Sequence, residues 1–296
     1  VRDGSIPGLQ YEVLTAGGAT YRVGMAGDGP PVLLLHGFPQ THYCWRHVVP
    51  ALVERHKVLA TDLRGYGATA APAGGQAGEG YTKREMAADL VELLHKLDLG
   101  RISVVGHDRG ARVAYRLALD YAALVERLAV LNVVPTVDQF ERLSAGSSLG
   151  YWPWFLLAQP APFPEQLIAA SRESFLRYVF RSWPDRPDAI DDDAFAVYLD
   201  ALDEATIASM CADYRASFWL DREHELADRR ATRHIRCPVL VVTGAAETQL
   251  ADAGDVWRRW ADDVEATTVP SGHFVPEEAP RELAHILLEF LEQRDP

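Results

Sequence analysis

Three short motifs in this 296-residue chain carry residue types suited to nucleophilic hydrolysis. The first is Val104-Val105-Gly106-His107-Asp108-Arg109-Gly110-Ala111-Arg112. A Val-rich run leads into a pentapeptide with small residues at both ends, and helix-forming residues follow. A sharp strand-to-helix turn of this kind presents its central side chain above a sheet, beside a helix N-terminus. Here that residue is Asp108. A carboxylate in this position can attack carbon and form an ester, which water then cleaves. The second motif is His36-Gly37-Phe38-Pro39, directly after the apolar run Val32–Leu35. Gly37 allows a tight turn, and the backbone N–H groups of Phe38 and Arg109 are candidate oxyanion donors. The third is Pro270-Ser271-Gly272-His273-Phe274, after the last apolar run. His273 there is a candidate general base for the attacking water. His36 and His107 are expected to support the loops they occupy. The stretch Asp62-Leu63-Arg64-Gly65-Tyr66-Gly67 reads as structural, a turn that shapes the sheet edge.

Positioning these groups requires a sheet. Runs of strand length fall at Leu9–Leu14, Thr20–Met25, Val32–Leu35, Lys57–Thr61, Ile102–Val105, Leu128–Asn132, Val239–Thr243 and Ala266–Val269. Several are near-continuous Val, Leu and Ile, as strands buried on both faces of a parallel sheet require. Helical patterns lie at Lys83–Leu97, Gly110–Tyr121 and Arg281–Gln293. The alternation predicts an α/β fold with a mostly parallel eight-stranded sheet flanked by helices. The first two strands have no helix between them, so the sheet should begin antiparallel. Residues 135–236 hold no convincing strand and many aromatic residues. They are expected to form a helical cap inserted after strand 6, with residues 1–134 and 237–296 forming the core domain. The run Asp191-Asp192-Asp193 fits a helix N-cap and first turn better than a metal site. The Gly- and Ala-rich stretch Ala70–Gly80 is expected to be a mobile loop.

Composition narrows the function classes. The chain is 48% apolar and 24% charged, with 29 Lys and Arg against 42 Asp and Glu. A formal charge of −13 disfavours nucleic acid and anionic membranes as partners. A small anionic substrate remains compatible, because a few Arg residues set the local field of a cleft. Cys44, Cys211 and Cys237 lack the spacing of a zinc site or a disulfide framework. No apolar run reaches about 18 residues, and Val1-Arg2-Asp3-Gly4 does not open a signal peptide. A cytoplasmic location is therefore expected, with neither metal nor cofactor.

The motifs HGFP, DLRGYG, GHDRG and SGHF, in this order, resemble those of an α/β-hydrolase with an Asp nucleophile. Longer runs at 36–46 (HGFPQTHYCWR), 106–120 (GHDRGARVAYRLALD) and 155–168 (FLLAQPAPFPEQLI) resemble the fluoroacetate and haloacetate dehalogenase family, which is related to epoxide hydrolases and haloalkane dehalogenases. The resemblance spans nearly the whole chain. It implies the α/β-hydrolase fold, and it implies that Arg109 and Arg112 clamp a substrate carboxylate, a geometry suited to guanidinium forks. It further implies that Trp154 and Tyr214 donate to the leaving halide, and that Trp183, Tyr151 and Pro153 border the substrate pocket. A homodimer is also among its implications.

Two departures stand out. The family's halide-binding His is replaced by Pro153, which offers no donor. The acid expected at the end of strand 6 is Asn132, which lacks the charge to stabilise an imidazolium. Glu247, after strand 7, occupies the place where some relatives carry that acid, and it is the expected partner of His273. The leading expectation is haloacetate dehalogenation through an ester on Asp108. Epoxide hydrolysis with the same nucleophile is the first alternative. A weakly active or non-catalytic small-acid-binding paralogue is the second.

Overall fold

The computed structural model describes residues 4–293, so the opening Val1-Arg2-Asp3 lies outside them. Eight strands form one sheet: β1 Gln10–Ala16, β2 Ala19–Ala26, β3 Pro31–Leu35, β4 Lys57–Thr61, β5 Ile102–His107, β6 Val125–Leu131, β7 Val239–Gly244 and β8 Val264–Val269. Their spatial order is β1-β2-β4-β3-β5-β6-β7-β8. The β1–β2 and β2–β4 pairs are antiparallel, and every later pair is parallel. The sheet therefore begins as the sequence predicts. β5 and β7 are buried along their whole length, which is why they read as unbroken apolar runs.

Two strands start two or three residues earlier than the apolar pattern indicates. β6 begins at Val125, because Glu126 and Arg127 interrupt the apolar run without interrupting the pairing of Ile102 with Val125. β8 begins at Val264 on an edge, where Glu265 faces solvent and no apolar residue is needed. β6 also ends at Leu131, so Asn132 lies just beyond it, with φ 54°.

Helices cover both faces. α1 (Lys83–Lys96) starts with a capping box between Thr82 and Glu85. α2 (Arg109–Asp120) follows β5 with Asp108 alone between them. Between β6 and β7 the described residues form helices and no named strand; these include α3 (Trp152–Leu156), α4 (Arg172–Ser182), α5 (Asp192–Ala201) and α6 (Glu204–Ala216). Asp191 caps α5, accepting the Ala194 N–H at 2.7 Å, which gives the acidic run the local role expected of it. The chain closes with α7 (Pro280–Glu292). The inserted helices meet the strand ends through buried polar contacts: Asp213 to Arg109, Tyr198 to Glu277, and the Trp183 carbonyl to the His273 N–H. Among the described residues no helix is long and apolar enough to cross a membrane.

Candidate active site

Asp108 sits between β5 and α2 at φ 47°, ψ −112°, outside the regions ordinarily open to an L-residue. Such strain persists only where the surroundings impose it. Here the imposition is steric. A Cβ on Gly110 would lie 2.3 Å from the His36 carbonyl oxygen, and one on Gly106 would lie 2.5 Å from the Ala111 Cα. Both neighbours are backbone, so neither can swing aside. Gly110→Ala is expected to cost about 3 kcal/mol through overpacking. Chemical denaturation of both forms checks this, and an unchanged midpoint would count against the steric account.

The Asp108 carboxylate is held by one oxygen. Its Oδ1 accepts the Phe38 N–H at 2.8 Å, while Oδ2 accepts no hydrogen bond among the described residues. The Phe38 donor is therefore where the motif places it. Arg109 N–H, the second expected donor, makes no hydrogen bond to this carboxylate. The turn stays tight because Gly37 has no side chain: a Cβ there would lie 2.5 Å from the Asp108 Cβ. His36 braces the same loop, accepting the Leu63 N–H at Nε2 (2.9 Å) and donating from Nδ1 to the Gly37 carbonyl (3.1 Å). The structural reading of the Asp62 turn also matches the contacts made there. Asp62 accepts the His42 and Ala68 N–H groups at 2.6 and 2.8 Å.

A cavity of about 440 Å³ brings Asp108 together with His273, Glu247, Trp154 and Tyr214. Tyr151, Pro153 and Trp183 complete the predicted part of its lining. His273 is held by its backbone: its N–H donates to the Trp183 carbonyl at 3.2 Å, and its carbonyl accepts from His107 Nε2 at 2.8 Å. Its ring meets that of Trp183 edge-on, with centroids 5.0 Å apart. Ring Nε2 is buried and has no hydrogen-bond partner among the described residues. Burial, then the neighbouring His107, lower the imidazole pKa, against the charges of Asp108, Glu247 and Glu278. Tyr214 is moved the other way by burial and by Asp108, so its hydroxyl remains a proton donor.

Asn132 and Glu247 act differently from expectation. The Asn132 amide never reaches the imidazole. Its Nδ2 donates to the carbonyls of Gly272 (2.9 Å) and His273 (2.8 Å), and its Oδ1 accepts the Gly244 N–H (2.7 Å). It ties the end of β7 to the His273 loop, a task that needs both a donor and an acceptor on one side chain. Asn also tolerates the positive φ found there. The Glu247 carboxylate accepts from Gln249, not from His273. Burial raises its pKa, and the nearby His273 opposes that shift. Glu247 therefore acts on the imidazole through charge without a hydrogen bond.

The two arginines require the largest revision. Arg109 is fully buried, and neither it nor Arg112 is among the residues that line the cavity. Its Nε and Nη2 bind the two carboxylate oxygens of Asp213 at 2.8 and 2.7 Å, and Nη2 also reaches Ser217 Oγ at 2.6 Å. The fork expected to grip a substrate is thus occupied by Asp213, and only Nη1 is left unpartnered. Arg112 donates from Nη1 to the Val134 carbonyl (3.1 Å) and to Thr136 Oγ1 (3.0 Å), with Nε buried and unpartnered. Both guanidiniums lie over the Trp154 ring, at 4.9 and 4.7 Å from its centroid. Burial alone would raise the Asp213 carboxyl, but Arg109 and Lys83 outweigh it and hold it well below the usual carboxylate range. Sequence reasoning missed Asp213 and Lys83. The available signal was an Asp immediately before Tyr214, at a position that α6 buries completely.

The profile of the alpha/beta hydrolase fold family matches residues 30–280. A fluoroacetate dehalogenase of Burkholderia sp is 36% identical over 288 residues, 96% of this chain and 94% of that protein. A soluble epoxide hydrolase of Corynebacterium sp. (strain C12) is 34% identical over 276 residues, 90% of this chain and 91% of that protein. Among solved structures, a Nostoc sp PCC 7120 protein provisionally classed as an alpha/beta hydrolase superposes with a TM-score of 0.94 at 39% identity, covering 98% of this chain and all of that one. With the sheet order, the strained turn at Asp108 and a family match over most of its length, the chain belongs to the α/β-hydrolase family.

Proposed function

We propose that this hydrolase dehalogenates small 2-halo acids, haloacetates first, through an ester on Asp108. One observation carries the reading. The free Oδ2 of Asp108 shares a cavity with an unpartnered imidazole nitrogen, and two guanidiniums with unsatisfied N–H groups, which do not line the cavity themselves, stack on its Trp154 wall. An unpartnered buried guanidinium nitrogen is costly unless an acceptor arrives, and a substrate carboxylate is such an acceptor. Oδ2 displaces the halide from carbon, forming the ester. Trp154 and Tyr214 receive the departing ion. His273 Nε2 then takes a proton from water as its oxygen attacks the ester carbonyl, with Phe38 N–H on the developing oxyanion. Collapse breaks the ester C–O bond, the imidazolium gives its proton to the departing alkoxide to release the hydroxy acid, and the Asp108 carboxyl loses the remaining water proton to solvent. The similarity to a fluoroacetate dehalogenase supports the same class of substrate.

Pro153 in the cavity wall favours a second reading, epoxide hydrolysis, in which the Tyr214 hydroxyl protonates a ring-opening oxygen. Similarity to a soluble epoxide hydrolase supports it. Halide release from chloroacetate and fluoroacetate, measured beside diol formation from a terminal epoxide, tests the two. Release of halide with no diol supports dehalogenation, and the reverse result replaces it. Fluoride needs donors more than chloride does, because it is small and strongly hydrated. Pro153→His is therefore expected to raise fluoride release about tenfold while changing chloride release little, as one added charge-assisted hydrogen bond would. Equal effects on both halides would remove the missing-donor argument.

A further inference from the structure

We propose that Glu278 is a positioning residue that sets His273 for ester hydrolysis, holding through the loop backbone what an acid on the imidazole would hold through the ring. This rests on the roles of Asp108 and His273 proposed above. The Glu278 side chain is buried, and its carboxylate accepts four backbone N–H groups. Oε2 takes those of Gly272 (2.9 Å), Asp185 (2.8 Å) and Arg186 (3.0 Å), and Oε1 takes that of Phe274 (2.9 Å). Gly272 and Phe274 flank His273. Asp185 and Arg186 come just after Trp183, whose carbonyl accepts the His273 N–H. One carboxylate thus ties the loop of the base to the segment that follows α4. The joint is tight: a Cβ on Gly272 would lie 2.4 Å from the Asp185 nitrogen.

The accounting of loop polar groups is nearly complete. All three N–H groups of residues 272–274 are used, two by Glu278 and one by Trp183. Asn132 and His107 bind the carbonyls of Gly272 and His273. The ring itself has no hydrogen bond to an acid. Its orientation comes from ring contacts with Trp183, His107 and Phe274 and from the restrained backbone, of whose three N–H groups Glu278 holds two. A carboxylate is needed for this. A Gln could offer one acceptor oxygen, but its NH2 would oppose an N–H on the other side. No ion pair of the Glu278 carboxylate is found among the described residues, so its partners beside the imidazole are amide donors. Burying it is costly without those donors. Its negative charge also favours the imidazolium that forms when water gives up its proton.

The test compares wild type with Glu278→Gln, and with Glu278→Asp, which keeps the charge and serves if the Gln variant does not fold. Two quantities are read. The first is the titration of the His273 ring by NMR, which needs no substrate. The groups acting on that ring are Asp108, Glu247 and Glu278 on the negative side and His107 on the other. Glu278→Gln is expected to lower the ring midpoint, and Glu278→Asp to restore most of it. The second is rapid-quench mass spectrometry of the Asp108 ester with chloroacetate. Ester formation is expected to stay within about threefold of wild type, while ester hydrolysis slows about tenfold to a hundredfold, the effect of a misplaced base. An unchanged ring midpoint with unchanged hydrolysis overturns the proposal. So does an equal fall in both steps, which marks a general loss of structure. If no ester forms in any variant, the dehalogenase reading fails, and the ring titration alone decides the case of Glu278.

Discussion

Replacing Asp108 by Asn is expected to abolish turnover, by about 10⁴-fold or more, with little loss of stability. A nucleophile that forms the covalent intermediate is not replaced by water at comparable rate, and 10⁴-fold corresponds to about 5.5 kcal/mol of barrier. The stability half of the expectation follows from the geometry. Asn keeps an oxygen for the Phe38 N–H, so no buried donor is orphaned. It also accepts positive φ better than most residues. Asp108→Ala, by contrast, removes the acceptor and adds conformational strain, so it should lose stability as well as activity. Product release and thermal unfolding of the two variants separate nucleophile from scaffold. An Asn variant with substantial turnover would exclude the ester mechanism, because no other carboxylate in the cavity is held by the Phe38 amide.

Much of this arrangement was legible in the sequence, for a physical reason. Gly106, Gly110 and Gly37 are fixed by backbone collisions that no other residue avoids, so the turn around Asp108 has a local signature. His273 has one too, since Gly272 lets its loop approach Asp185. The strand pattern was equally readable wherever both faces are buried, and blurred at Glu126 and Glu265, where one face is not.

What the sequence hid is the pairing of charges across long separations. Arg109 meets Asp213 more than one hundred positions away, and nothing in either local stretch announces the contact. Read alone, Arg109 looks free to hold a substrate. Asp213 and Lys83 turn it into a fixed group with one available nitrogen. The same blindness affects Asn132. Its type excludes an acid, but only the three-dimensional path shows that it serves the loop backbone in place of the ring.

His273→Ala should separate the reaction into its halves. In the proposed reaction, ester formation needs the Asp108 oxygen, the halide donors and the substrate clamp, none of which is His273. Ester hydrolysis needs a base for water, and general base catalysis contributes about 10²–10⁴-fold. The variant is therefore expected to release about one halide per protein and stop, with Asp108 carrying a carboxymethyl ester. Intact-mass measurement after incubation with chloroacetate detects that adduct, and peptide mapping locates it. A variant that turns over repeatedly would transfer the base role to another group, with Glu247 a candidate in the cavity. The pH dependence carries a second check on the same residue. Burial and His107 lower the imidazole pKa, so the ring is neutral and able to accept a proton across the neutral range. Hydrolysis of the wild-type ester should hold level as pH falls past the ordinary histidine value near 6.5, then decline as His273 is finally protonated. A decline centred well above that value would mean that the base is not this imidazole in this environment.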